Sequence, residues 1–157
     1  NNSESYCDIY GGLYQWDEAM SYATIAFDLQ GICSEGWHLP TDIEWCTMEQ
    51  LVDPSISCEV TDWRGIDGGG KLKEAGLIHW SSPNNGATNS SGFTALPGGR
   101  RDIDGSFNQL NIIGYWWSSS QYDATYSWFR GLRYDEVGIN RINNDKSRGR
   151  SVRCLKD

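Results

Sequence analysis

Between Ser127 and Asp135 the sequence alternates with a period of two, the spacing that sends successive side chains to opposite faces of a β-strand. One row is Trp128, Arg130, Leu132 and Tyr134. The other is Phe129, Gly131, Arg133 and Asp135, four residues with no chemistry in common. A packed face repeats one kind of residue, whereas a recognition face mixes an aromatic, a cation, an acid and a gap. The second row therefore reads as the outward, ligand-directed one. Strands are expected at about 115–120, 127–134, 139–143 and 150–155, separated by turn chemistry at Tyr122-Asp123-Ala124, Asp135 to Gly138 and Asn144 to Gly149.

Upstream the period changes. Trp16, Met20, Ala23 and Phe27 recur at intervals of four, three and four, which marks one face of a helix from about Gln15 to Leu29, stopped by Gly31. Residues 1–14 read as an extended lead-in and residues 15–157 as a single domain. A short strand within Cys33 to Leu39 ends at Pro40. Thr41-Asp42-Ile43-Glu44 is a capping box, in which the hydroxyl and the carboxylate each satisfy a free backbone N–H. It starts a helix over about Asp42 to Val52, with Trp45, Met48 and Val52 inward. Residues 59–100 are loop-rich, with a short helical piece at Lys71 to Glu74 and a strand at Phe93 to Leu96, packed by their own Trp63, Trp80 and Phe93.

Eight Trp, eight Tyr and 18 Gly in 157 residues favour one irregular, aromatic-cored α+β domain over a helical bundle. The net charge of -8 argues against a nucleic-acid binder, since phosphate binding needs a basic surface. Ten of the 13 basic residues nonetheless fall from residue 100 onward (Arg100, Arg101, Arg130, Arg133, Arg141, Lys146, Arg148, Arg150, Arg153, Lys156), so the last third is locally basic. No apolar run approaches the roughly 20 residues of a membrane span, so direct membrane insertion is not expected. Five cysteines without a Cys-x-x-Cys pair, beside only two histidines, suit disulfides in an oxidising compartment better than zinc. Cys46 and Cys58 lie close enough to bond. The odd cysteine is free or paired elsewhere.

Six motifs in order carry a family resemblance: Tyr10-Gly11-Gly12-Leu13-Tyr14-Gln15-Trp16-Asp17-Glu18-Ala19-Met20; Gly36-Trp37-His38-Leu39-Pro40-Thr41-Asp42-x-Glu44-Trp45; Gly92-Phe93-Thr94-Ala95-Leu96-Pro97-Gly98-Gly99; Asp104-Gly105-Ser106-Phe107; Tyr115-Trp116-Trp117-Ser118-Ser119; and Ser151-Val152-Arg153-Cys154-Leu155. Over nearly its whole length the chain resembles the Fibrobacter succinogenes major paralogous domain family, itself similar to the formylglycine-generating-enzyme branch of the C-type lectin fold. The resemblance implies a C-type lectin-like α+β fold, with two helices flanking small twisted antiparallel sheets, in a secreted or surface-anchored bacterial module. It also implies that Cys33 pairs with Cys154. Some relatives are variable proteins of diversity-generating retroelements, in which residues on the last strands are rewritten. Laid onto this chain, those positions are Tyr122, Asp123, Tyr126, Phe129, Gly131, Arg133, Asp135, Asn140, Ile142, Asn144, Arg148 and Arg150.

Those twelve residues are the candidate ligand-binding set, rich in the aromatic and Arg groups that dominate binding hot spots. Catalysis is not expected. The formylglycine-generating enzymes act through a reactive cysteine pair, and no matching pair is present. His38 and His79 read as satisfied core histidines rather than bases. Asp102-Ile103-Asp104-Gly105 superficially resembles a calcium loop, but Asp102 and Asp104 lack the further acidic ligands that a cation with 6 to 8 oxygens would take, so the stretch reads as a surface turn. No cofactor is expected. The function expected is a non-catalytic, surface-displayed, adhesin-like module, a monomeric domain of a larger protein, that binds a protein or cell-surface ligand through its last strands. The alternative is a carbohydrate-binding accessory domain of a secreted glycan-degrading system that stacks sugars on its Trp and Tyr residues, with Trp116 and Trp128 as the positions to test. A ligand-free spacer is a third reading.

Overall fold

A computed structural model describes residues 4–23 and 30–157. The elements in chain order are α1 (Glu4–Tyr10), α2 (Trp16–Ala19), β1 (Trp37–His38), α3 (Asp42–Val52), β2 (Asp62–Arg64), α4 (Gly68–Leu72), β3 (Arg100–Arg101), β4 (Phe107–Asn108), β5 (Ile113–Gln121), β6 (Tyr126–Arg133), β7 (Ile139–Asp145) and β8 (Leu155–Lys156). Four strands make one antiparallel sheet in the order β2-β7-β6-β5, and β1-β8 and β3-β4 form two-stranded ribbons. The architecture is α+β, as the composition suggested. The expected strand over 150–155 is split. Ser151 bonds to the free side of β5 through Tyr115 O and Trp117 N, Arg150 exchanges two backbone bonds with Tyr14, and β8 begins only at Leu155.

Adjacent Trp116 and Trp117 serve opposite faces of the sheet, and each anchors a core. One core gathers Trp16, Ala19, Met20, Cys33, Leu39, Ile113, Tyr115, Trp117 and Phe129. The other gathers Trp45, Cys46, Ile56, Leu72, Trp80, Ala95, Trp116, Leu132 and Ile139. A strand covered on both sides has no solvent row, so the middle of β6 is closed at Phe129, Arg130, Gly131 and Leu132 alike. Burying a phenylalanine contributes about 1.5–3 kcal/mol. Phe129 is thus a core residue and not the outward group that its mixed neighbours suggested.

The capping box forms as expected: Thr41 Oγ1 accepts from Glu44 N at 3.2 Å, and the Glu44 carboxylate accepts from Thr41 N at 2.8 Å. Four other expectations are corrected. Residues Glu4–Tyr10 are helical, not extended. The helix at Trp16 stops at Ala19, because Ser21 and Tyr22 take positive φ values of 52° and 55°, and the Ala19 carbonyl accepts from Ile32 N in place of a further helical turn. The remainder of the expected helix, including Phe27, lies outside the described residues. Phe93 to Leu96 is not a strand. Thr94 sits at φ 54° with its N–H on Asn89 Oδ1 at 2.8 Å, which leaves a single bridge from Ala95 to Lys73.

The short helix expected at Lys71 to Glu74 instead runs Gly68–Leu72. Its glycines allow backbone to press on backbone, since a Cβ on Gly69 would lie 2.1 Å from Gly138 O and one on Gly70 2.2 Å from Gly86 O. Buried Asp53 holds its start, with Oδ2 accepting from the amides of Ile66 (2.6 Å), Asp67 (3.0 Å) and Gly68 (3.0 Å). Burial opposes ionisation of this carboxylate, but the Ser55 hydroxyl and these amides outweigh it and hold the group well below the usual carboxylate range. A lowered folded value means stability that is present above the unfolded value of about 4 and lost as pH falls through the folded one. Asp53→Asn is expected to lose about 2 kcal/mol at pH 7. The gap from wild type should close in urea melts at progressively lower pH, and a pH-independent gap would refute the assignment.

Both expected disulfides are present, Cys33–Cys154 and Cys46–Cys58, and Cys7 is an exposed free thiol on α1.

Candidate ligand-binding face

Strand register decides which candidate residues share a surface. Tyr115, Gly131, Asn140 and Trp63 align in one row across the four strands, and Trp117, Phe129 and Ile142 in the next. Ser127 stands opposite Asn144 on this face. The N-terminal segment covers the β5 side, where Trp117 Nε1 donates to Tyr14 O at 2.9 Å. Toward β7 and β2 the face opens: Ile142 is 39% exposed, and Trp63 and Asn144 are half-buried. Arg133 closes one end. Its guanidinium lies 5.4 Å from the Trp63 ring centroid and bonds Asp135 Oδ1 at 2.5 Å, Asp135 Oδ2 at 3.2 Å and Glu136 Oε1 at 3.3 Å.

The β6–β7 turn that carries this end is pinned from below. Fully buried Lys73 donates to the carbonyls of Asn85 (2.9 Å), Arg133 (3.0 Å) and Glu136 (2.8 Å), and burial pushes its ammonium down to about 8. Gly131 is a gap in the floor. An added Cβ would meet Asn140 Cβ at 3.4 Å and the Tyr115 ring at 3.5 Å, ordinary contact distances, so the position admits a Cβ.

The twelve candidate residues do not form one surface. Arg133, Ile142 and Asn144 lie on the open half, with Asp135 as the counterion of Arg133. Gly131 and Asn140 belong to the same face but are buried, Asn140 with its amide on Asp62 Oδ1 at 2.9 Å. Phe129 and Arg150 lie under the covered half, at 3% and 1% exposure. Tyr126 is opposite Asp145, one residue out of phase with Ser127, and so belongs to the other face. Tyr122 is exposed, but its ring meets Trp128 edge-on at 5.2 Å, and Trp128 carries the Arg141 guanidinium 3.9 Å from its centroid. Asp123 builds the hairpin turn, accepting from Thr125 N and Tyr126 N at 2.7 Å each. Of the two tryptophans proposed to stack sugars, Trp116 is core and Trp128 is covered by Arg141.

Arg148 stands at the far rim, paired with Asp102, which also accepts from Arg100 Nε at 2.9 Å and Asn108 Nδ2 at 2.8 Å. Asp104 accepts from the Ser106 backbone and hydroxyl within its turn. Among the described residues no group of three or more His, Cys, Asp and Glu could hold a metal ion. His38 lies between Asp157 Oδ1 (2.6 Å) and Glu44 Oε1 (3.1 Å), and the Asp157 hydrogen bond raises it above its ordinary value. His79 bonds Glu74 at 2.9 Å. Sequence reasoning missed Asp62, Trp63, Arg100 and Tyr115. Trp63 looks like loop packing in the sequence because the three-residue strand β2 is too short to display a period.

A disulfide-stapled α+β domain with one half of a sheet face left open is the class that these features define. The chain belongs to the Fibrobacter succinogenes major domain family, whose sequence profile matches residues 1–156. No curated protein and no solved structure matches the chain. Among the described residues no helix is long and apolar enough to cross a membrane.

Proposed function

We propose that this protein is a non-catalytic binding module, displayed outside the cytoplasm, that takes a protein ligand on the open half of its sheet. The observation that carries the reading is the uncovered patch around Ile142, Asn144 and the Trp63–Arg133 stack, beside a sheet centre that is packed on both faces. An aliphatic side chain beside an aromatic–Arg pair has the composition of an interface hot spot. The two disulfides fit an oxidising compartment. They also agree with the C-type lectin-like scaffold that the motifs imply. Four of the five cysteines are engaged in these bridges, and each histidine is held by a carboxylate, which favours binding over chemistry. If the surface is diversified, Ile142 and Asn144 have room to vary and Gly131 has room for a Cβ, whereas Phe129 is packed.

The test is panning a displayed peptide library against the protein. Selected binders should lose at least tenfold in affinity to Arg133→Ala and Ile142→Asp, with melting temperatures within about 4 °C of wild type. Binders indifferent to both changes would overturn the assignment. A glycan array run beside it would replace the protein ligand with a sugar if its hits vanish on Trp63→Ala.

A further inference from the structure

A cavity of about 620 Å³ opens between the N-terminal segment and the β3–β4 ribbon, within the roughly 300–1,000 Å³ that small-molecule sites occupy. Successive residues tie its two walls together. Gly149 exchanges backbone bonds with Arg101 at 3.0 and 2.8 Å, and Arg150 exchanges them with Tyr14 at 2.9 and 3.0 Å. The space between the walls is therefore preformed. Tyr6 and Tyr10 line it from α1, their ring centroids 6.2 Å apart, and Phe107 lines it from β4. His79 backs Tyr10 edge-on at 5.7 Å. Tyr6 and Phe107 are 39% and 42% exposed, which leaves ring surface for an occupant.

Two charged groups of the lining keep unused hydrogen-bonding capacity. Arg101, half-buried on β3, has five N–H donors, and its side chain makes no hydrogen bond or ion pair among the described residues. Asp104, in the turn of the same ribbon, is bonded to Ser106 instead. From the opposite wall, Glu18 on α2 accepts from Gln15 N through Oε2 at 2.8 Å, and its Oε1 has no donor among the described residues. The third charged residue of the lining, Arg100, is held by Asp102 and Gln109. A guanidinium, a carboxylate and three rings around one space match a ligand that bears a carboxylate, an ammonium group and an aromatic side chain.

We propose that this cavity binds an aromatic amino acid, free or in a dipeptide, with Arg101 on its carboxylate, Glu18 on its ammonium group and its ring against Tyr10 and Phe107. A planar guanidinium fits a carboxylate in shape as well as charge, which makes Arg101 the anchor. None of the lining residues belongs to the patch around Ile142 and Trp63, so this site and the proposed binding face stand or fall separately.

Thermal melts of the whole protein at fixed ionic strength, titrated with L-phenylalanine, glycyl-L-phenylalanine, phenylacetate or phenethylamine, test it. The two zwitterions should raise the melting temperature saturably, and each singly charged analogue should bind at least tenfold more weakly. A stronger response to L-phenylalanine identifies the free amino acid as the ligand, and a stronger response to glycyl-L-phenylalanine identifies the dipeptide. Arg101→Gln should reduce L-phenylalanine to the level of phenethylamine and leave phenethylamine itself unchanged. Glu18→Gln, which keeps an acceptor for Gln15 N, should reduce it to the level of phenylacetate and leave phenylacetate unchanged. The free thiol of Cys7 also lines the cavity, so its alkylation by iodoacetamide reads occupancy in the unaltered protein and should slow with either zwitterion. Equal affinities for zwitterions and singly charged analogues, indifference of L-phenylalanine to Arg101→Gln, or an alkylation rate that neither zwitterion changes would overturn the proposal.

Discussion

Glu49→Ala is expected to destabilise the protein by about 3–5 kcal/mol, because it strands two buried guanidinium groups. Glu49 is fully buried on α3, where Arg130 Nε and Arg64 Nη2 each donate to its carboxylate. The neighbouring acid cannot substitute for it. Asp42 already takes Arg130 Nη1 at 2.6 Å and Arg141 Nη2 at 2.6 Å. Burial opposes the ionisation of Asp42, but its hydrogen bonds with Arg141 and Arg130 prevail and keep it below the usual carboxylate range. For a domain of this size the loss corresponds to a fall in melting temperature on the order of 10 °C. Replacing Arg64, Glu49 and Arg130 together by Met, Leu and Met should recover much of it, since the site then holds no unpaired charge and Asp42 keeps Arg141 as its partner. Urea melts decide the matter. A loss for Glu49→Ala below about 1 kcal/mol would mean that water reaches the network and that it behaves as a surface pair.

Removing Cys33–Cys154 by paired Ser substitution is expected to have the other large effect, about 5 kcal/mol in the chain-entropy description, because the bridge spans a sequence separation of 121. Cys46–Cys58 spans 12 and is worth about 3 kcal/mol on the same footing. The ordering is the informative part. Cys33 lies in the core with Trp16 and Met20, with Cys154 packed against it, so the long bridge ties the segment before α3 to the end of the chain. Paired urea melts of the two double variants would refute the account if losing the short bridge proved as damaging as losing the long one.

Where local chemistry dictates local structure, the sequence was readable. Thr41 and Glu44 announce α3, and the spacing of Cys46 and Cys58 anticipates their bond. Of the row Trp128, Arg130, Leu132 and Tyr134, which the alternation sets inward, Arg130 and Leu132 are buried and Trp128 and Tyr134 half-buried. What failed depends on tertiary cover. Phe129 and Gly131 look idiosyncratic in sequence because each answers to a different partner: Phe129 to Tyr115 and Trp117, Gly131 to the space between Tyr115 and Asn140. Alternation reveals two faces of a strand but not that both are packed. The helix expected from Gln15 breaks after Ala19 for a related reason. Ile32 returns to the Ala19 carbonyl, a contact between residues that no periodic pattern connects.

The clamp on Arg133 has a consequence for association. A free arginine side chain carries about 2 kcal/mol of rotamer entropy, which a ligand ordinarily has to overcome when it immobilises the group. Here Asp135, Glu136 and the Trp63 ring have already narrowed its conformations before any encounter. If the open half takes a ligand as proposed, docking at this end orders little, and differences among ligands should show themselves in how long they stay rather than in how fast they arrive.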